Sequence, residues 1–149
     1  MIWFCDASAL VKRYVQEAGS RWFRREVDRH AIVIAQITVV EVHAALAANY
    51  RTRALSLFSF YQARNKLADH VWRNLYQVCP LTESIVTLAM SLLPRHPLRA
   101  YDAVQLATAL DFLKISPTKP LHFLTADEQL ERAALGEGLK TDNPNRHRR

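Results

Sequence analysis

Ile2-Trp3-Phe4-Cys5-Asp6 opens the chain with a four-residue apolar run that stops on a carboxylate. The run is short and rich in aromatic and branched side chains, so it reads as a buried strand. Two more runs of this kind follow, Ala31 to Ala35 after the polar helical stretch Ser20 to His30, and Leu121 to Leu124 after the Ser116 to Pro120 loop. Tyr76 to Cys79 and Leu139 to Thr141 are weaker strand candidates. Helical patterns separate them at Thr38 to Tyr50, Ala54 to Leu75, Thr82 to Leu93 and Arg99 to Leu113, and Ser8 is placed to cap a helix straight after the first strand. Strands that alternate with helices imply an α/β domain with a mainly parallel sheet, covered on both faces and built from right-handed crossovers.

With 149 residues, 50% hydrophobic and 23% charged, the chain has the size and balance of one globular domain with a sizeable core. Lys and Arg number 20 against 14 Asp and Glu, a net charge of +6 that favours a polyanionic partner without proving one. The basic stretch Arg146 to Arg149 is expected to fray, as a nucleic-acid arm or, the favoured reading, as a solubilising end. Cys5 and Cys79 lie within or beside apolar runs and form no paired motif, which argues against a disulfide scaffold. Asp6, Lys12 and Arg13 leave no room for a signal-peptide apolar region, and no stretch approaches the roughly 18 apolar residues of a membrane span. A cytoplasmic protein is expected.

Four carboxylates stand out. Asp6 and Asp127 follow apolar strands, and the ligand crevice of an open parallel sheet lies outside the carboxyl ends of its strands. Each has a purely structural alternative as a capping or turn aspartate. Thr125 with Glu128 forms one possible capping box, in which Asp127 is not required, and Thr38 with Glu41 forms another. Glu41 also heads a stripe of Ala44, Ala45 and Ala48 at helical spacings, which turns its carboxylate toward close-packed neighbours. Asp102 shares its stripe with Leu106, Ala109 and Leu113, which places its charge at the edge of the core, with an ion pair to Arg99 as the structural alternative.

Two carboxylates about 4 Å apart repel by roughly 4 kcal/mol at an effective dielectric near 20. A converging quartet therefore needs cations or protons. Oxygen-only donors suit Mg²⁺ or Mn²⁺, and that pairing supports in-line hydrolysis of a phosphodiester without a protein nucleophile. Zinc is disfavoured, because the six histidines form no His-x-x-x-His pair and the cysteines no Cys-x-x-Cys pair. A Ser8 nucleophile is disfavoured too, since no Gly-x-Ser-x-Gly elbow surrounds it. A phosphotransferase with Asp6 as nucleophile would want a second Asp two positions on, where Ser8 stands.

Taken together, Phe4-Cys5-Asp6-Ala7-Ser8-Ala9-Leu10-Val11-Lys12-Arg13-Tyr14, Thr38-Val39-Val40-Glu41-Val42, Leu98 to Ala107 and Leu124-Thr125-Ala126-Asp127-Glu128-Gln129-Leu130 resemble the PIN-domain family. They resemble most the VapC-type ribonuclease toxins of bacterial toxin-antitoxin pairs. The segments occur in the family's order, and the resemblance runs from about Met1 to Pro144, a single nuclease domain (1–144) followed by the basic tail (145–149).

The resemblance implies a three-layer α/β/α sandwich and a metal-dependent endoribonuclease. In it Asp6 and Asp102 would be the principal Mg²⁺ or Mn²⁺ ligands, Glu41 and Asp127 would complete the acidic site, and Ser8 and Thr125 would support water or substrate. Lys12, Arg13 and Arg99 are the candidate cations for steering RNA phosphate. Cys5 stands where an aliphatic residue is more usual, and Gln105 where histidine is frequent. The resemblance also implies an antitoxin partner that covers the acidic cleft, and a homodimer. Leu55, Phe58 and Tyr61-Gln62 through Leu67, with Trp72 and Leu75, carry more apolar surface than one helix face needs, which marks either an interface or ordinary core. The rival to the enzyme is a non-catalytic PIN-like module that holds RNA or protein without cutting.

Overall fold

Five parallel strands in the order β3-β2-β1-β4-β5 form the centre of the computed structural model, which describes residues 1–147. They are β1 (Ile2–Cys5), β2 (Ala31–Ala35), β3 (Tyr76–Cys79), β4 (Leu121–Leu124) and β5 (Lys140–Asp142). The last begins one residue later than the sequence pattern suggests. Seven helices cover the sheet: α1 (Ala7–Leu10), α2 (Ser20–Glu26), α3 (Gln36–Arg51), α4 (Leu57–Trp72), α5 (Glu83–Leu92), α6 (Ala100–Ile115) and α7 (Glu128–Gly136).

Period-two alternation along buried strands sorts the core into two layers. Ile2, Phe4, Val33, Leu121 and Phe123 face α5, α6 and α7, with Phe4 and Phe123 stacked at 5.5 Å. Trp3, Cys5, Ile32, Ile34 and Tyr76 face α1 to α4. The result is the expected three-layer sandwich. Helix α6 is buried almost all round, through Ala103, Leu106, Ala107, Ala109 and Phe112, as suits a helix wedged between sheet and neighbouring helices.

Three local expectations need correction. The Ser20 to His30 helix is two pieces, α2 and a 3-10 turn at Val27–Arg29. Helix α3 packs mainly through Thr38, Val42 and Leu46, with Ala45 of the expected alanine stripe partly buried against the same core and Ala44 exposed. The tail is docked as far as His147, because Arg146 makes two hydrogen bonds (2.9 and 2.7 Å) to the buried Glu131, and the His147 ring stacks on Trp22 at 3.8 Å. Gly19, at φ 79°, accepts this docking: a Cβ there would overlap the Pro144 carbonyl. Arg148 and Arg149 lie outside the described residues.

Connections from β1 through β3 run outward on one side of β1, and β4 and β5 lie on its other side. The crevice between the carboxyl ends of β1 and β4 is therefore the topological switch point of the sheet.

Candidate active site

Strand register builds the first half of the site. Cys5 pairs with Leu124, so the next residues on the two strands, Asp6 and Thr125, lie side by side, tied by the Asp6 N–H to the Leu124 carbonyl at 3.1 Å. Asp6 is the N-cap of α1 and accepts from the Ala9 N–H at 2.9 Å, a role the sequence offered to Ser8. Ser8 instead donates to Asp6 (2.8 Å to Oδ1), accepts from the Ala126 N–H at 2.8 Å and lies 3.2 Å from Thr125 Oγ1. Thr125 donates to Asp6 Oδ2 at 2.8 Å. Asp6 is thus held from three directions in a pocket that leaves it 4% exposed.

The other three carboxylates come from α3, α6 and α7. Glu41 lies in the second turn of α3, whose N-cap is Ala35 with no side-chain bond, so Thr38 and Glu41 form no capping box. Thr38 is instead fully buried and accepts from Gln105. Asp102 lies in the first turn of α6, 9% exposed, with Arg99 Nε 3.7 Å from its Oδ2. That guanidinium also lies over the Tyr101 ring at 5.1 Å and is mostly in solvent, so it screens Asp102 without closing it off. Asp127, not Thr125, caps α7, accepting from the Gln129 and Leu130 N–H groups at 2.8 and 3.0 Å.

The charges of the four are linked in series. Burial pushes Asp6 from 3.8 to about 7 against the pull of its Thr125, Ala9 and Ser8 hydrogen bonds, with a small further push from Glu41. Glu41 is raised by burial and by Asp102, while Gln105 pulls it down. Asp102 is raised by burial and then by Asp127, with Arg99 pulling the other way. Ionising Asp6, Glu41 and Asp102 in water alone is therefore unfavourable.

Among the described residues no three His, Cys, Asp or Glu side chains stand close enough to enclose a metal ion. The donor set is hard oxygen throughout, which fits Mg²⁺ or Mn²⁺ held by one or two carboxylates with waters filling the remaining positions. A closed protein cage is not what these residues offer.

Two of the proposed steering cations are engaged elsewhere, which corrects the sequence reading. Lys12 is 2% exposed, with its ammonium 2.8 Å from Glu17 Oε1 and 2.7 Å from the Ala18 carbonyl. Arg13 pairs with Asp28 at 2.8 Å and lies over the Tyr76 ring. Arg99 stays exposed beside Asp102. The residues that sequence reasoning left outside the site are Thr38 and Gln105, and the stripe signal was available, since Gln105 lies three residues beyond Asp102 on α6.

The family model for the PIN domain matches residues 3–135 of this chain. Solved structures share the fold at low identity. A toxin-antitoxin complex from Klebsiella pneumoniae aligns at 15% identity and TM-score 0.62, over 95% of this chain and 96% of that one. FitAcB from Neisseria gonorrhoeae aligns at 16% and 0.63, over 97% and 98%. VapC20 from Mycobacterium tuberculosis, described as a sarcin-ricin loop cleaving toxin, aligns at 16% and 0.66, over 88% and 94%. No curated protein matches the chain in sequence.

Proposed function

The chain belongs to the PIN-domain family, and from that premise we propose that it is a Mg²⁺- or Mn²⁺-dependent endoribonuclease, the toxin of a toxin-antitoxin pair. The observation that supports this reading is that Asp6, Glu41, Asp102 and Asp127, from four separate elements, are coupled in series around the switch point of the sheet, Asp6 to Glu41, Glu41 to Asp102 and Asp102 to Asp127, with burial making the first three resist ionisation. Asp6 and Asp102 are the proposed principal metal ligands, with Glu41 and Asp127 completing the charge.

A bound divalent cation supplies Lewis acidity toward water and a phosphoryl oxygen. The chain's own part is to hold and aim. Ser8, Thr125 and the Ala9 N–H fix both oxygens of Asp6, so the carboxylate meets its ligand without first being ordered. Arg99, exposed beside Asp102, is free to take an RNA phosphate as a charge-assisted hydrogen-bond donor.

A cognate antitoxin is proposed because the aligned solved structures include a toxin-antitoxin complex and VapBC2 from Rickettsia felis bound to promoter DNA. Its proposed seat includes α4, which packs inward through Ala63 and Leu67 and leaves Phe58 (71% exposed) and Trp72 (82%) outward. A homodimer is proposed from the family resemblance alone. No helix among the described residues is long and apolar enough to cross a membrane.

The test is the Asp102→Asn protein, which should fold and cut no RNA. Cleavage retained at the wild-type rate in Mn²⁺, after removal of contaminating nucleases, ends the assignment.

A further inference from the structure

One buried side chain joins α6 to α3 beside the carboxylates. Gln105, 1% exposed, places its amide Nε2 2.8 Å from Thr38 Oγ1 and 2.8 Å from Glu41 Oε1, donating to both. Its Oε1 is buried with no hydrogen-bond partner, the one such side-chain atom among the described residues. A buried acceptor left bare carries a desolvation penalty, so packing alone gives no reason for a glutamine here.

The orientation of the amide follows from its neighbours. Turning it over would set the amide oxygen against a Glu41 oxygen, and two acceptors share no proton between them. The N–H fork must therefore face Thr38 and Glu41. Asp102 precedes Gln105 by three residues on α6, so the fork spans the two helices from one turn beyond Asp102 and bonds the Glu41 carboxylate of α3 directly. Glu41 is a long side chain, half-buried, and repelled by Asp102. Without a donor it would swing toward solvent.

We propose that Gln105 is the positioning residue of the acidic site, holding the Glu41 carboxylate in place against its neighbours so that a divalent cation meets it already oriented. The inference rests on the metal-dependent reading above. An outer partner of this kind is worth about 10- to 100-fold in metal affinity.

The experiment is Mn²⁺ titration of the full chain, with free Mn²⁺ read by electron paramagnetic resonance, on the wild type and on Gln105→Met, which keeps the length of the side chain and removes both N–H groups. Gln105→Leu serves as a second variant should Met pack badly. The expected result is about 10-fold weaker Mn²⁺ binding with the metal-free protein still folding cooperatively, since the bare Oε1 leaves with the amide and offsets the donor that Thr38 and Glu41 lose. In a Glu41→Gln background, Gln105→Met should change Mn²⁺ affinity no further, an effect that a merely structural role would not produce. Unaltered Mn²⁺ affinity in Gln105→Met, or the same loss in both backgrounds, overturns the inference while wild-type binding and cleavage leave the enzyme reading standing. A wild-type protein that neither binds Mn²⁺ nor cuts RNA overturns both.

Discussion

Asp6 Oδ2 accepts a hydrogen bond from Thr125 Oγ1 at 2.8 Å across 119 residues of chain. The parallel pairing of Cys5 with Leu124 makes the two residues neighbours, and their switch-point position makes the neighbourhood a crevice. A structural aspartate needs only its own helix N-terminus. Asp6 has that and two hydroxyls besides, at the cost of burial.

Thr125→Val should therefore leave the sheet intact and lower RNA cleavage by about 10- to 100-fold, the range typical when a partner that orients a ligand is lost. Thr125→Ser keeps the hydroxyl and should restore most of the rate. Equal rates for Val and Thr at saturating Mn²⁺ would show that the bond has no part in catalysis.

Asp6 also sets a pH dependence of stability. Its pKa is raised from 3.8 to about 7 by burial, so the folded protein keeps a proton that the unfolded chain releases near pH 4. The stability contributed is full below about pH 4 and lost as pH rises through about 7. A displacement of that size corresponds to about 4 kcal/mol at most. Metal-free wild type should melt lower at pH 8 than at pH 5, Asp6→Asn should flatten that slope, and Mn²⁺ should raise the melting temperature of the wild type at pH 8. A metal-free melting temperature that is level from pH 5 to 8 contradicts the burial argument.

Asp127 carries two separable duties. As the N-cap of α7 it satisfies the Gln129 and Leu130 N–H groups, so Asp127→Ala should cost about 1 kcal/mol of stability as well as activity. Asp127→Asn keeps an efficient cap and removes the charge, so it should melt like wild type and still cut RNA poorly. The pair, measured by denaturation and by cleavage rate, separates the cap from the acidic site.

These duties show what the sequence made legible. Three apolar runs, Ile2–Cys5, Ala31–Ala35 and Leu121–Leu124, coincide with strands because buried parallel strands carry their signal in composition alone, and the weaker candidate Tyr76–Cys79, only partly buried, is a strand as well. The caps were misread at Thr125, Thr38 and Ser8. A hydroxyl followed by a glutamate suits a capping box, but tertiary bonds to Asp6 and Gln105 claim the Thr125 and Thr38 hydroxyls. The engagement of Lys12 was out of reach, since Glu17 and the Ala18 carbonyl approach it only once the chain has turned at Val11–Arg13. So was the docking of Arg146, whose partner Glu131 gave no sign of burial.

That docking yields its own expectation. Arg146→Ala leaves the buried Glu131 carboxylate, among the described residues, with the Thr141 hydroxyl as its side-chain donor, and loss of a charged hydrogen-bond pair of this kind costs about 1.5–3 kcal/mol. Gly19→Ala, which drives a Cβ into the Pro144 carbonyl, should destabilise the same junction. Urea midpoints should fall for both variants with unchanged slopes. Midpoints equal to wild type would mean that the segment contributes nothing to the fold.

The most direct measurement is cleavage of a mixed cellular RNA pool by the purified protein and by its Asp6→Asn variant, each in Mg²⁺, Mn²⁺ or EDTA. Discrete fragments made by the wild type in metal, and absent with EDTA or with Asp6→Asn, are the predicted result. Fragments that persist with EDTA or with Asp6→Asn would contradict an active site built on these carboxylates, and an intact pool in every lane would contradict the nuclease itself and favour a PIN-like module that binds without cutting.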